Sequence, residues 1–544
     1  MESEYRRGDR RTDQDTGGKG LRLLSPGIFD PVIRIEGLTY TFAGRDRPAL
    51  QSVDLEIESG EFVVVTGPSG CGKSTLALAI GGYLFQQYEG KAEGSVRVAG
   101  LDARHAPIHE VADIVGLVQQ NPEAQFCTTT VRDEVAFGLE NRCQPVAEIR
   151  QRVDWALDTV GASDLIDREL HTLSGGEKQK IAIASVLALQ PQVLILDEPT
   201  SNLDPTATAA IFEVIADIRA SVGITAIVIE HKLDFLRPFK PRLITLEKGR
   251  IRCVTSRDED YAFPEPPARL GGDRSTRKAA VGAKQVSQDP VVEVEDLHVR
   301  LGDSEVLKGL SLRIHAGEFV VIMGDNGSGK TTLLRTLLGL QRPTVGEAWI
   351  LGAPIGATPV SALARDIGFV FQNPDHQLFG STVWEEATIA AHQFGLLDRA
   401  TRARTKGLLD EAGLGTRLDD HPYRLSYGEK RRLNVISVLG HRPSLLLLDE
   451  ILIGQDPANA GYLLALLKRA VDDGATVVMV SHDPEVTYRW ASRLIFMEDG
   501  HIRINAPVDL AARQLADAGY TAYVPHSWRN VDATPVRICQ REGA

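Results

Sequence analysis

Two glycine-rich segments of the sequence have the composition and spacing of a phosphate-binding loop. They read GPSGCGKST at residues 67–75 and GDNGSGKTT at residues 324–332. Both fit GxxxxGK[ST], a pattern in which glycines let backbone N–H groups turn towards phosphates at the start of a helix. Each segment follows an apolar run and precedes a helical pattern, so each is predicted to connect a buried strand to a helix.

One basic and one hydroxyl side chain in each loop supply the remaining chemistry of such a site. Lys73 and Lys330 are predicted to reach the terminal phosphates of a nucleotide, and the hydroxyls of Ser74 and Thr331 are predicted to bind Mg²⁺. One such segment could arise by chance. Two of them, both between a strand and a helix, make chance a negligible explanation.

Adjacent acidic residues end two further apolar runs. VLILDE contains Asp197 and Glu198, and LLLLDE contains Asp449 and Glu450. An aspartate at the carboxyl end of a strand, beside a phosphate loop, is placed to hold Mg²⁺ through water. The next glutamate can polarise the attacking water. Acidic strand ends are common in proteins, so this interpretation depends on the phosphate loops.

Two glutamines and two histidines complete the candidate set. Gln120 and Gln372 each follow an apolar run and precede Asn-Pro, where an amide could contact Mg²⁺ or water. His231 and His482 each end an apolar run about 34 residues after the aspartate, where an imidazole could bond the γ-phosphate and the attacking water. Taken alone, the glutamines would be polar loop residues and the histidines structural residues, so they count only as part of the set.

The elements that position these residues occur twice. VGLVQQNPEAQF at 115–126 recurs as IGFVFQNPDHQLF at 367–379, and LSGGEK at 173–178 recurs as LSYGEK at 425–430. Five such pairs keep their order at an offset of 251–257 residues, which indicates duplication of one domain of about 220 residues. Short apolar runs such as EFVVVTG alternate with helical segments, which predicts an α/β fold with a parallel sheet in each copy.

The repeat divides the 544 residues into five segments. Residues 1–30 are predicted to be a disordered tail, and residues 31–252 the first domain. Residues 253–290 are rich in proline, glycine and charge and are predicted to be a flexible linker. Residues 291–505 are predicted to be the second domain. Residues 506–544 are a C-terminal extension that begins as a short helix and has no assigned role.

Composition limits the class of function. The net charge of −13 disfavours a nucleic-acid partner, because an acidic chain repels phosphate backbones. The 5 cysteines form no CxxC pair, which fits a reducing compartment and gives no metal or disulfide framework. No run of 18 apolar residues occurs, and the charged N-terminus has no apolar core, so neither a membrane span nor a signal peptide is predicted.

Taken in order, the motifs resemble those of the ATP-binding-cassette (ABC) ATPases, in both copies and nearly end to end. The phosphate loop, the glutamine, the LSGGE-type signature, the Asp-Glu pair, the D-loop (SNLD at 201–204, IGQD at 453–456) and the histidine follow the order of that family. The resemblance implies two tandem P-loop NTPase domains, or cassettes. Each would have a parallel-sheet core, an antiparallel β subdomain and a helical subdomain.

The resemblance also implies two composite ATP sites. The cassettes would pack head to tail, with each ATP between one phosphate loop and the signature of the other cassette, and ATP would close the pair until hydrolysis reopens it. Site one would combine the motifs of the first cassette with Ser426 and Gly428. Site two would combine those of the second with Ser174, Gly175 and Gly176.

The predicted residues of the two sites fall into three groups. The catalytic residues are Glu198, His231, Glu450 and His482. The ATP-binding residues are Phe42, Gly67, Pro68, Ser69, Gly70, Cys71, Gly72, Lys73, Ser74, Thr75, Gln120, Ser174, Gly175, Gly176, Gly324, Asp325, Asn326, Gly327, Ser328, Gly329, Lys330, Thr331, Thr332, Gln372, Ser426 and Gly428. The Mg²⁺ ligands are Ser74, Gln120, Asp197, Thr331, Gln372 and Asp449.

The second copy departs from the family pattern at three places. Tyr427 replaces the first glycine of the signature, and a bulky side chain there is expected to point away, so site one is expected to hydrolyse ATP. Leu301 stands where the first copy has Phe42, which resembles the residue of the family that stacks on adenine. DEIL replaces DEPT, which is expected to shift the geometry slightly and leave the glutamate active.

The segments after the glutamines narrow the resemblance. QNPEAQF and QNPDHQLFGSTVWEEA look like the ATPases of energy-coupling-factor (ECF) transporters, which drive uptake of vitamins or metal ions. This implies a peripheral ATPase on the cytoplasmic face of the membrane. Its partners would be a transmembrane coupling subunit and a small substrate-binding membrane protein. Glu123 and Asp375 are candidates to meet arginines of a partner, or are simply solvated acids.

Two other functions are consistent with fused cassettes. A soluble ATPase acting on ribosomes usually carries a long charged helical arm between its cassettes or cysteine clusters for iron–sulfur centres, and neither is present in this sequence. A fused ATPase for sugar or peptide import is disfavoured by the QNPD-type segments. The transported substrate does not follow from the sequence, because the cassettes never touch it.

Overall fold

The apolar runs of each copy form the strands of two sheets. The computed structural model describes residues 31–45, 47–255 and 290–525. The predicted tail at 1–30, residues 256–289 of the predicted linker and residues 526–544 of the C-terminal extension lie outside the described residues.

The first cassette contains ten strands and seven α-helices within the described residues. Its strands are β1 (Ile33–Phe42), β2 (Leu50–Ile57), β3 (Phe62–Thr66), β4 (Gly90–Val98), β5 (Leu101–Asp102), β6 (Val115–Val118), β7 (Val193–Asp197), β8 (Thr225–Ile229), β9 (Arg242–Glu247) and β10 (Arg250–Val254). Its helices are α1 (Lys73–Ile80), α2 (Tyr83–Gln87), α3 (Ile108–Ala112), α4 (Val131–Asn141), α5 (Val146–Thr159), α6 (Gly175–Leu187) and α7 (Pro205–Val222).

Within the described residues, the second cassette repeats the order of the strands, without an equivalent of α2 and with two further helices towards its end. Its strands are β11 (Pro290–Leu301), β12 (Ser304–His315), β13 (Phe319–Met323), β14 (Val345–Ile350), β15 (Ala353–Pro354), β16 (Ile367–Val370), β17 (Leu445–Asp449), β18 (Thr476–Val480), β19 (Arg493–Glu498) and β20 (His501–Pro507). Its helices are α8 (Lys330–Leu337), α9 (Val360–Leu363), α10 (Val383–Gln393), α11 (Arg399–Glu411), α12 (Tyr427–Leu439), α13 (Pro457–Asp472), α14 (Pro484–Trp490) and α15 (Val508–Asp517).

A mostly parallel six-stranded sheet forms the core of each cassette. The strand orders are β10-β9-β3-β8-β7-β6 and β16-β17-β18-β13-β19-β20, and only the outer pairs β9–β10 and β19–β20 are antiparallel. A four-stranded antiparallel sheet packs beside each core, in the orders β2-β1-β4-β5 and β12-β11-β14-β15. Because parallel strands end at one edge, the phosphate loops and the Asp-Glu pairs come together there.

The helical part of each cassette carries the signature segment. In the first cassette α4 and α5 pack against α6, with Val135, Leu157 and Ile181 fully buried between them. In the second cassette α10 and α11 pack against α12 in the same way. The signature therefore starts a helix whose far end is fixed in an apolar core.

The ends of the cassettes differ slightly from the predicted boundaries. The boundary predicted after residue 252 falls within β10, and the one predicted after residue 505 falls within β20. The C-terminal extension continues as α15, whose face of Val508, Ala511 and Leu515 is buried in the core of the second cassette. Among the described residues, every helix is too short or too polar to cross a lipid bilayer.

Candidate active sites

Each phosphate loop is shaped by a glycine that no other residue could replace. Gly67 and Gly324 have φ values of +146° and +142°. A Cβ at either position would lie 2.0 Å from a backbone carbonyl oxygen, that of Leu246 or of Met497. The loops therefore run directly against the neighbouring strand, and their N–H groups face the space in front of helices α1 and α8.

The two loop lysines are buried and bound to their own loops. Lys73 Nζ donates to the carbonyl oxygens of Gly67 at 2.9 Å and Pro68 at 3.1 Å. Lys330 Nζ donates to those of Gly324 at 2.9 Å and Asp325 at 2.7 Å. Burial lowers the pKa of Lys330, while nearby carboxylates such as Glu450 oppose that change. Both ammonium groups lie where a bound phosphate chain would meet them.

The aspartates that end β7 and β17 lie beside the hydroxyls of the phosphate loops. Thr331 Oγ1 donates to Asp449 Oδ1 at 3.2 Å. Burial raises the pKa of both Asp197 and Asp449 to about 6, and the hydroxyls of Ser74 and Thr331 partly oppose this. Asp197 Oδ1 is buried without a hydrogen-bond partner among the described residues. A buried acceptor of this kind fits a cation, because desolvation is costly until a partner compensates it.

The following glutamates lie between the predicted glutamines and histidines. Gln120 Nε2 donates to Glu198 Oε2 at 2.7 Å, and Gln372 Nε2 donates to Glu450 Oε2 at the same distance of 2.7 Å. His482 Nε2 lies 2.7 Å from Glu450 Oε1. In the first cassette the corresponding distance from His231 Nε2 to Glu198 Oε1 is 3.3 Å. The structure thus brings the predicted glutamine, glutamate and histidine together in each cassette.

The glutamates remain ionised in spite of their burial. Burial by itself would raise the pKa of Glu198 and Glu450, but the hydrogen bond with the neighbouring histidine and the field of nearby basic side chains outweigh it, so the net pKa of each is lowered. Both residues have positive φ values, 46° and 48°. Their backbone N–H groups bond the ends of β8 and β18, at Ile229 O and Val480 O. Each glutamate is thus held in place by its backbone bond and by the amide of the neighbouring glutamine.

The replacement of DEPT by DEIL removes one side-chain hydrogen bond from the second cassette. In the first cassette Thr200 Oγ1 donates to the buried Glu230 at 2.6 Å. Leu452 and Ser481 occupy the aligned positions in the second cassette, so that bond has no counterpart there. The nearly equal φ values of Glu198 and Glu450 show that the backbone at the glutamate is the same in both cassettes.

The signature serines start their helices with identical caps. Ser174 accepts from the backbone of Glu177, whose carboxylate in turn bonds the N–H of Ser174 at 2.7 Å. Ser426 and Glu429 repeat this arrangement. Among the described residues, these serines hydrogen-bond only within their own helices, and no contact joins them to the opposite phosphate loop. Tyr427 starts α12 after Ser426 without disturbing the cap.

Two equivalent hydrogen bonds join the D-loops of the two cassettes to the opposite phosphate loops. Asp204 Oδ2 accepts from Asn326 N at 3.0 Å, and Asp456 Oδ2 accepts from Ser69 N at 3.0 Å. The other carboxylate oxygen of each aspartate caps its own helix, α7 or α13, by accepting from Ala207 N or Asn459 N. Each D-loop therefore bonds the phosphate loop of the opposite cassette, a contact that the sequence analysis did not predict.

Among the described residues, aromatic rings cluster at the predicted adenine position of the first cassette, and an aliphatic side chain stands there in the second. Phe42, at the end of β1, lies edge-on to Tyr40 and Tyr88 with ring centroids 5.0 Å and 5.9 Å away. Leu301, at the end of β11, occupies the corresponding place in the second cassette and is half exposed. The two sites therefore offer different surfaces to a base.

The acids predicted to meet a partner are already paired within their own cassettes. Glu123 forms an ion pair with Lys178 on α6, and Asp375 forms one with Lys430 on α12 at 2.7 Å. Both acids remain substantially exposed to solvent. Their first role in the structure is to tie the loop after the glutamine to the signature helix.

One residue of the sites has no sequence signal. Tyr523, in the turn Thr521–Tyr523 of the C-terminal extension, donates to Asp325 Oδ1 in the second phosphate loop at 2.6 Å. The repeated motifs end before Tyr523, so the repeat could not reveal this contact. A single buried aromatic near a chain end gives no pattern that predicts such a contact.

Comparison with known proteins agrees with this geometry. The family model described as ABC transporter matches residues 50–201 and 307–452. The chain belongs to the ABC transporter family. An ABC transporter ATP-binding protein of Methanosarcina acetivorans is 34% identical, with 91% of this chain and 89% of that protein covered. This chain is an ATP-binding, ATP-hydrolysing subunit of an ABC transporter with two fused cassettes.

Two further relatives have more specific names. A Bacillus subtilis protein named for HMP/thiamine import, the ATP-binding protein YkoD, is 33% identical, with 87% of this chain and 90% of that protein covered. The structure of cbiO1 from Clostridium perfringens, part of the ABC transporter complex cbiONQ, matches 44% of this chain with 27% identity and a TM-score of 0.38. Proteins of this family work together with membrane subunits.

Proposed function

We propose that this chain is the ATPase of an ECF-type transporter, and that it hydrolyses ATP at two composite sites to drive uptake of a vitamin or metal ion. The observation that carries the two-site part is the reciprocal bonding of Asp204 and Asp456 to the opposite phosphate loops. The uptake part is supported by the relative named for HMP/thiamine import and by the QNPD-type segments.

The proposed roles follow from where each side chain lies. Lys73 and Lys330 bind the terminal phosphates. Glu198 and Glu450 accept a hydrogen bond from the attacking water, because each carboxylate is ionised and held by a glutamine and a histidine. The histidines orient the glutamates and donate towards the γ-phosphate. The signatures of the opposite cassettes complete the sites when ATP draws the cassettes together.

The residues present also fit Mg²⁺. Hydroxyl, amide and carboxylate oxygens are the ligands that Mg²⁺ prefers, and Asp197 offers a buried oxygen without a partner among the described residues. When bound, Mg²⁺ would neutralise part of the charge on the phosphates. The residues that would hold it are Ser74, Gln120 and Asp197 in site one, and Thr331, Gln372 and Asp449 in site two.

The proposed partners are a transmembrane coupling subunit and a small substrate-binding membrane protein. The surface after the second glutamine supports contact with a partner, since Phe379 is 77% exposed and Tyr423, whose hydroxyl donates to Asp375 O, is 53% exposed. The chain would then be peripheral on the cytoplasmic face of the membrane. Side chains this apolar and this exposed are common where another protein docks.

The test is to purify the tagged chain from membranes in mild detergent and to reconstitute the recovered complex into vesicles. We expect two integral membrane proteins to co-purify and ligand uptake to require ATP. The control is Glu198→Gln combined with Glu450→Gln, which should keep the complex and abolish uptake. Recovery of ribosomal proteins without membrane proteins would refute the transport role and favour an ATPase that acts on ribosomes.

A further inference from the structure

The two signature helices differ in how they contact the glutamine loop of their own cassette. In the second cassette the guanidinium of Arg431, on α12, donates to Phe371 O at 2.6 Å and to Gln372 O. Arg431 Nη2 also donates to the hydroxyl of Tyr427 at 3.3 Å. A side chain one turn after the signature tyrosine therefore holds the backbone of the Gln372 loop.

Arg431 is a buried cation, so its hydrogen bonds to the Gln372 loop depend on the position of α12 relative to that loop. Arg431 is fully buried, and its hydrogen-bond partners among the described residues are uncharged oxygens. Burial lowers its pKa, and the nearby Tyr427 and Asp449 oppose the change. A buried cation without a directly paired carboxylate depends on its hydrogen bonds for compensation. Because the guanidinium is a rigid planar fork, it fixes two successive carbonyls relative to the helix.

Tyr427 connects this arginine to the parts of the second cassette that face site one. Its ring packs against Gly454, where an added Cβ would lie 3.2 Å from Tyr427 Cε1. Gly454 belongs to the D-loop whose Asp456 bonds the phosphate loop of the first cassette through Ser69 N. The tyrosine therefore lies between the signature and the D-loop, and its hydroxyl reaches the arginine behind them.

The first cassette lacks every part of this arrangement. The position of Tyr427 is occupied by Gly175 in the first cassette. Gln179 stands at the position of Arg431, and Asn202 at that of Gly454. Gln179 is buried, and its Nε2 has no hydrogen-bond partner among the described residues. The second cassette has one more bond of this kind, from Asn434 Nδ2 to Pro374 O at 2.9 Å, where the first has Ala182. Tyrosine and arginine thus occur together in one copy and are both absent from the other.

We propose that Tyr427 and Arg431 are positioning residues that couple site one to site two through the second cassette alone. Tyr427 moves with the signature and D-loop that serve site one. Arg431 bonds both Tyr427 and the backbone of Gln372, so a shift of Tyr427 moves the Gln372 loop. The side chain of Gln372 donates to Glu450 in site two at 2.7 Å. The inference rests on the proposed function, since it requires two composite sites in one chain.

The test measures site two alone while a residue at site one is changed. Glu198→Gln confines ATP turnover to site two. In that background we expect Tyr427→Phe, which removes only the hydroxyl, to lower turnover about three- to tenfold, the effect of losing one hydrogen bond. Arg431→Gln, which installs the residue found at position 179, should lower it at least as much. Tyr427→Phe should then have no further effect in the presence of Arg431→Gln.

Two controls separate coupling from a loss of structure. Gln179→Met is the matched substitution in the first cassette, and it should leave site-two turnover unchanged. The thermal unfolding midpoint of Tyr427→Phe should stay within a few degrees of the unsubstituted protein. If Glu198→Gln stops all turnover, photolabelling by 8-azido-ATP measures nucleotide occupancy of site two in its place. The cassettes are then separated at a protease site inserted in the linker, and Tyr427→Phe should reduce the label in the second cassette.

Each remaining outcome bears on a different claim. The coupling is overturned if Tyr427→Phe leaves site two unaffected, or if its effect is the same with and without Arg431. In a Glu450→Gln background only site one turns over. If Tyr427→Phe lowers turnover there and not in the Glu198→Gln background, Tyr427 acts only at site one. Absence of ATP turnover in the unsubstituted protein would instead refute the proposed function.

Discussion

The hydroxyl of Tyr523 donates to Asp325 Oδ1 at 2.6 Å and joins the C-terminal extension to the phosphate loop of the second cassette. Tyr523 is fully buried, and its turn packs against α7 of the first cassette. Helix α7 begins after Asp204, whose carboxylate bonds the backbone of Asn326, next to Asp325. The extension therefore contacts both sides of the interface at site two.

We expect Tyr523→Phe to weaken nucleotide binding at site two about three- to tenfold, because the partly buried carboxylate of Asp325 loses the hydroxyl that donates to it. Burial and this bond raise the pKa of Tyr523, so its hydroxyl remains a donor at neutral pH. Titration with a fluorescent ATP analogue in a Lys73→Ala background measures site two alone.

Tyr520→Phe is the matched control for this prediction. Tyr520 also donates to a carboxylate, but its partner Glu498 is not a residue of the phosphate loop. Its substitution should leave nucleotide affinity unchanged at both sites. Nucleotide affinity at site one is measured in a Lys330→Ala background. If Tyr523→Phe lowers the affinity equally at both sites, the substitution has a general effect on folding instead.

Both ATP sites are expected to hydrolyse ATP despite the tyrosine in the second signature. Tyr427 is directed towards Arg431 and Gly454, and the cap of Ser426 matches that of Ser174. Glu198→Gln and Glu450→Gln should therefore each lower steady-state turnover, and the pair should abolish it. If Glu198→Gln has no effect while Glu450→Gln removes all activity, site one is inactive and this prediction is wrong.

Adenine is expected to bind more tightly at site one than at site two. Phe42 presents an aromatic ring there, whereas Leu301 presents an aliphatic side chain, and loss of stacking costs about 1 kcal/mol. Phe42→Leu should therefore weaken ATP about fivefold at site one, and Leu301→Phe should strengthen it at site two. Equal affinities of the two sites in the unsubstituted protein, measured in Lys73→Ala and Lys330→Ala backgrounds, would contradict this expectation.

The sequence predicted the residues that end strands much better than those that join elements. Asp197, Glu198 and their equivalents come together because the carboxyl ends of parallel strands share one edge, and apolar runs reveal those strands. The α/β fold followed from the same alternation. The signature caps were also readable, since a serine followed three residues later by glutamate is a local pattern.

The contacts that distinguish the two sites depend on residues far apart in the chain. Arg431 reads as an exposed cation on a signature helix, yet it is fully buried because Phe371 and Gln372 present carbonyls to it. Tyr427 fits because Gly454 leaves space, and no local spacing connects those two positions. Tyr523 and Asp325 are 198 residues apart. Such pairs follow from tertiary packing, which periodicity does not encode.

A buried histidine should make the second cassette less stable as the pH falls. His441 is 9% exposed, and neither ring nitrogen has a hydrogen-bond partner among the described residues. Burial and the adjacent Arg404 lower its pKa to about 4, with a smaller opposing effect of Asp366. Between about pH 6.5 and 4 the unfolded chain binds a proton that the folded cassette excludes, so stability decreases as pH falls through that window.

The expected loss is about 2 kcal/mol between pH 6.5 and 5, since one pKa unit corresponds to about 1.4 kcal/mol. His441→Leu removes the titrating group and keeps a similar volume against Phe394, so it should reduce the drop in thermal unfolding midpoint between pH 7 and pH 5. Substitution of the exposed His109 by leucine is the control and should leave that drop unchanged. An identical pH dependence in His441→Leu and the unsubstituted protein would show that other groups cause the acid sensitivity.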